Sequence, residues 1–83
     1  MSTGFIWDHK SSNQIAWIEN GADVFSVATK RKFATVRGSD LYSLAGEFLG
    51  VHLENIDGGN ADIAGTGNDS EARTRFKKLA SDS

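Results

Sequence analysis

The sequence predicts a mainly β fold: three consecutive β-hairpin repeats forming a small curled sheet or barrel-like unit, then a Gly-rich linker and a short C-terminal α-helix. Three observations carry this reading. The first 54 residues contain a threefold internal echo. Their apolar runs are filled by β-branched and aromatic residues and contain no proline, as strands require. Turn-forming residues break the runs too often for helices.

The echo consists of paired apolar runs. Phe5-Ile6-Trp7-Asp8 is followed by Ile15-Ala16-Trp17-Ile18. Asp23-Val24-Phe25-Ser26-Val27 is followed by Phe33-Ala34-Thr35-Val36. Asp40-Leu41-Tyr42-Ser43-Leu44 is followed by Leu49-Gly50-Val51-His52-Leu53. The step is about 17–18 residues, the length of one hairpin and its connection. Each second run opens on a large residue followed by Ala or Gly.

Taken in order, the runs predict strands over residues 4–8, 14–19, 23–28, 32–37, 40–44 and 48–54. Turns fall at Asn20-Gly21, Arg37-Gly38-Ser39 and Ala45-Gly46-Glu47, because Gly and Asn accept positive φ cheaply. Alternation puts Trp7, Phe25 and Tyr42 on one face, with Val27 and Leu44, and turns Ile6, Val24 and Leu41 to the other. Both faces are then apolar and need cover, one by curling and the other by the C-terminal segment or a second subunit. Trp17 and Phe25 are expected in the core, where truncation to Ala would cost about 3–5 kcal/mol. The recurrent Ala16, Ala34 and Gly50 mark a crowded place where backbones approach. The third unit has an extra residue near Val51-His52, the mark of a β-bulge.

Residues 55–68 change character. Gly58, Gly59, Gly65 and Gly67, with Asn60 and Asp62, read as a flexible acidic linker. Asn68 and Glu71 have the spacing of a helix cap. Residues 70–80 hold good helix formers, with Ala72, Phe76, Leu79 and Ala80 as a narrow apolar stripe. The organisation is a hairpin domain over 1–54, a linker over 55–68, and a helix with its tail over 69–83, together one small domain.

Three stretches resemble the short hairpin repeats of β-flower proteins. These are Val24-Phe25-Ser26-Val27, the run Lys32-Phe33-Ala34-Thr35-Val36, and Asp40-Leu41-Tyr42-Ser43-Leu44 with its continuation through Gly46-Glu47-Phe48-Leu49-Gly50. Trp7-Asp8-His9 with Ile15-Ala16-Trp17-Ile18 is similar to such a unit as well. The resemblance covers about residues 4–54. It implies compact hairpins about a central axis and brings no catalytic residue. That family is fourfold and only three units are seen here, so either the helix replaces a unit or a second chain completes the ring.

The chemistry in the sequence is sparse. With 83 residues the core is small, and such chains often rely on disulfides, metals or self-association. There is no cysteine, which removes disulfides and thiolate zinc sites. The two histidines are His9 and His52, so neither a structural metal nor a cofactor is expected. Asp8 and His9 are adjacent and would point to opposite faces of a strand, so no catalytic residue is assigned. The glycine pairs after residue 57 lack the Lys-Ser/Thr of a phosphate loop and stand among acids. No run approaches the roughly 20 apolar residues of a membrane span, and no secretory signal is evident, so a cytoplasmic protein is expected.

Charge is more informative than its net value of −2. No Lys or Arg occurs between Arg37 and Arg73, a stretch that holds Asp40, Glu47, Glu54, Asp57, Asp62, Asp69 and Glu71. The cations gather as Lys30, Arg31, Lys32 and Arg37, and again as Arg73, Arg75, Lys77 and Lys78. These eight are the candidate contacts for an anion or nucleic acid. The leading expectation is a non-enzymatic interaction or structural module that self-associates or binds another protein. The alternative is a nucleic-acid-binding protein using the Lys30-Arg31-Lys32 hairpin tip and the basic helix. A third is a small enzyme whose site forms between subunits from Tyr42, His52, Asp8 or Glu54.

Overall fold

The computed structural model describes residues 4–8, 13–57 and 59–83. His9, which the sequence reading weighed, lies outside the described residues. Seven strands run in chain order: β1 Gly4–Asp8, β2 Asn13–Glu19, β3 Asp23–Ser26, β4 Lys32–Arg37, β5 Asp40–Ser43, β6 Phe48–Asp57 and β7 Asn60–Gly65. The helix α1, Asp69–Asp82, follows. Each strand pairs antiparallel with the next, and the sheet closes into a barrel between β1 and β7. An odd number of alternating strands leaves the first and last pointing the same way. The closing seam is therefore parallel, with Phe5 opposite Asn60, Ile6 opposite Ala61 and Trp7 opposite Asp62. Closure leaves no open sheet edge.

The threefold echo has a structural cause. In the first hairpin the register steps from Ile6–Ala16 to Trp7–Gln14, so Ile15 is an extra residue on β2. In the second it steps from Val24–Ala34 to Phe25–Lys32, and Phe33 is the extra residue on β4. A bulge suspends alternation, so two consecutive residues can both face the interior. Ile15 and Ala16 are both buried, as are Phe33 and Ala34. The large residue fills the barrel, and its neighbour is Ala because the interior of a small barrel is narrow. In the third hairpin the irregularity falls between Phe48 and His52, around Gly50 with φ +81°. The expected bulge near Val51-His52 lies in that place.

Of the two apolar faces, the one that carries Ile6, Val24 and Leu41 is the core. Ile6, Val24, Leu41, Val51 and Ile63 are fully buried, with Phe33, Val36 and Leu53 around them. Trp17 and Phe25 do not join it, which corrects their expected place. They are opposed residues on β2 and β3 and stack on the outer wall, centroids 5.4 Å apart and 9° from parallel. Tyr42 and Phe48 form a second outer pair, 5.7 Å apart. The outer face is thus partly covered by its own cross-strand aromatics, and the C-terminal segment closes a barrel end instead. Val27 and Leu44 fall beyond strand ends; Leu44 is 61% exposed.

The expected linker over 55–68 is the largest correction. β6 continues to Asp57, and β7 occupies Asn60–Gly65. Ala61, Ile63 and Ala64 of β7 are buried. Small Ala side chains among Gly and acids gave little apolar pattern, yet the barrel cannot close without a strand between β6 and β1. Gly65 has a packing role as well. A Cβ there would lie 2.6 Å from Asp69 Cα and 2.7 Å from Ala72 Cβ, so its absence lets α1 turn tightly onto β7.

The helix spans 14 residues and packs on the barrel against β2, β3, β6 and β7. Asn68 caps it, its side chain accepting from the Glu71 backbone N–H at 3.1 Å, as the spacing predicts. Ala72, Phe76 and Ala80 are buried, and Phe76 meets Phe33 with centroids 5.3 Å apart. Ser26, fully buried at the end of β3, donates to the Ala80 carbonyl at 2.7 Å. Among the described residues, no helix is long and apolar enough to cross a membrane.

Candidate interaction groove

The turn between β3 and β4, the turn between β5 and β6, and α1 meet at the helix-closed end. Their side chains frame two adjoining grooves that share Leu79. One, of about 380 Å³, is floored by Phe48, Leu49, Phe76 and Leu79, with Arg75, Lys78 and Asp82 beside it. The other, of about 450 Å³, runs past Arg31, Lys32, Phe33, Leu44 and Ala45. The floor is unusually open for apolar groups: Leu44 is 61%, Phe48 47% and Leu79 37% exposed. On α1 the groove residues Arg75, Lys78, Leu79 and Asp82 recur three to four apart, a second face beside the buried Ala72-Phe76-Ala80 stripe.

The eight candidate cations divide by what they touch. Arg73 lies against Asp8 at 3.2 Å and Asp69 at 3.0 Å, and Lys77 reaches the other oxygen of Asp8 at 2.8 Å. Burial lowers the Arg73 pKa, but the hydrogen bonds to Asp69 and Asp8 outweigh it, so the guanidinium is held above its ordinary value. Lys32 pairs with Asp23 at 2.8 Å, and its hydrogen bond lowers the Asp23 carboxyl below its usual range. Lys30 donates to the Val27 carbonyl at 2.9 Å and stands 5.8 Å over the Trp17 ring. Arg37 stacks over Tyr42 at 5.4 Å, toward the opposite end of the barrel. Arg31, Arg75 and Lys78 have no ion-pair partner among the described residues. All three line the grooves.

The sequence reading found these cations but not the apolar floor between them. Leu44 and Phe48 flank a turn, and Leu79 was assigned to the docked stripe. The signal present in the sequence was Phe48 directly after Ala45-Gly46-Glu47, a large apolar residue at a hairpin tip.

Other polar groups lie elsewhere. His52 and Glu54 share a face of β6, with Nε2 to Oε2 at 3.2 Å, and His52 Nδ1 is 3.5 Å from Thr66 Oγ1. Asp8 is committed to the helix and Tyr42 to Phe48 and Arg37, so the four residues considered for an enzyme site are not brought together within this chain. Among the described residues, no three His, Asp or Glu side chains are placed to hold a metal ion.

No family model, curated protein or solved structure matches this chain.

Proposed function

We propose that this chain is a small non-enzymatic interaction module of the cytoplasm, and that its helix-side groove engages an acidic, partly apolar surface of a protein. One observation carries the reading. Arg31, Arg75 and Lys78, none of them in an ion pair among the described residues, stand around exposed Leu44, Phe48 and Leu79. Apolar side chains left in water beside unused cations favour a partner with apolar anchors and carboxylates. The three bulged hairpins are read as β-flower-like repeats, closed here by β7 and α1.

A nucleic acid would also be drawn to the cations, but phosphate contacts have no use for the apolar floor. Trp17 is stacked on Phe25 beneath Lys30, and the Trp7 Nε1 donates to Asn60 Oδ1 at 3.0 Å, which leaves both indoles engaged. Fluorescence anisotropy separates the two readings, using a labelled amphipathic peptide of Glu, Leu and Phe against labelled single-stranded and duplex oligonucleotides. The peptide is expected to bind saturably, and Arg75→Glu with Lys78→Glu should weaken it about tenfold or more. Tight oligonucleotide binding with a steep salt dependence, and none of the peptide, would replace this reading with the nucleic-acid one.

A further inference from the structure

Among the described residues, nothing covers the end of the barrel opposite the helix. A pocket of about 230 Å³ enters it between Ile18, Val36, Leu53, Ile56 and Ala61. An apolar cavity of about 150 Å³ already holds a benzene ring, so this mouth has room for one large apolar side chain. Ile56 at its rim is 63% exposed and Phe5 39%. The start of β5 and the distal half of β6 carry Asp40, Glu54 and Asp57, all exposed, with Glu54 also paired to His52 at 3.2 Å and Arg37 as the cation at that end among the described residues.

The two ends are complementary. The helix end presents Arg31, Arg75 and Lys78 around the β5–β6 turn with its exposed Leu44 and Phe48, and with Glu47 and Asp82 nearby. The mouth presents carboxylates around an apolar hollow. We infer that the helix end, with its groove, docks on the mouth of a second copy of this chain, joined head to tail, with exposed Leu44 or Phe48 of one copy entering the mouth of the next. The inference rests on the groove reading above and names its partner. Because donor and acceptor surfaces lie at opposite ends of one barrel, each contact leaves one of each free. Such a heterologous contact grows into chains or closes into rings rather than stopping at a twofold dimer.

Sedimentation velocity over a range of concentrations, at low and high salt, tests this. The weight-average mass should climb with concentration at low salt and fall back at high salt. Two charge-reversed variants decide the geometry: Arg75→Glu with Lys78→Glu at the groove, and Glu54→Lys with Asp57→Lys at the mouth. These are surface changes, and circular dichroism verifies that each variant keeps the fold. Each variant alone should need about tenfold higher concentration to associate, since like charges then face each other. Mixing the two should restore association, since each offers the other an opposite surface. A discrete dimer broken by the groove variant and indifferent to the mouth variant would overturn the head-to-tail arrangement. A wild-type chain that stays monomeric while its groove binds the acidic peptide would overturn the second copy as partner and leave the groove reading standing. Failure of both would remove both.

Discussion

Asp8 ends β1 and is 8% exposed, with Arg73 at 3.2 Å on one oxygen and Lys77 at 2.8 Å on the other. A carboxylate so far from water is tolerated because two cations from successive turns of α1 neutralise it. Asp8→Asn keeps the shape and removes the charge, leaving Lys77 without a carboxylate partner. The expected loss is about 1–3 kcal/mol, seen as a lower urea midpoint. An unchanged midpoint would mean that apolar packing alone holds the helix. The Asp23–Lys32 pair, at 2.8 Å with side chains 33% and 40% exposed, is a surface contact of much smaller weight.

At the scale of elements, the bulged hairpin and the docked helix divide the aromatics between them. The bulge turns Phe33 inward beside Ala34, where Phe76 of α1 meets it. Trp17 and Phe25 sit in regular register one rung away and stack outside. Phe76→Ala should therefore cost about 3–5 kcal/mol, the penalty of a cavity in a filled core. Trp17→Ala should cost roughly 1–2 kcal/mol, the loss of one half-buried cross-strand partner. Chemical denaturation of the two variants measures the difference. Equal effects would contradict the division of inner and outer rings.

For the molecule as a whole, helix and barrel share one core. Phe76 is 2% exposed and belongs to the same buried cluster as Ile6, Val24 and Leu41. Neither part keeps its apolar surface dry without the other. Unfolding should thus be a single transition, with tryptophan fluorescence from Trp7 and Trp17 on the barrel and far-ultraviolet circular dichroism from the helix giving one midpoint. An earlier midpoint for the helical signal would make α1 a separately docked element. The shared core also explains the polarity of the charge layout: the helix brings its cations to one end, while the acid-rich strands β6 and β7 turn at the other.

The repeat, the absence of proline and the turn glycines determined six of the strands, the grouping of Ile6, Val24 and Leu41 on one face, and the capped helix after Asn68. These are local matters, settled by alternation, φ preferences and one hydrogen bond at a helix start. Tertiary structure alone decided the rest. β7 is a strand because the sheet must close, not because Asn60–Gly65 has a strong strand pattern of its own. Ile15 and Phe33 share the interior with the Ala that follows each because a bulge overrides the period of two. The groove exists because two hairpin turns and a helix face, distant in the chain, are carried to the same barrel end. Charge along a chain is legible residue by residue. Which cations are consumed by Asp8 and Asp23, and which stand unused beside Leu44, Phe48 and Leu79, depends on distances that only the folded barrel sets.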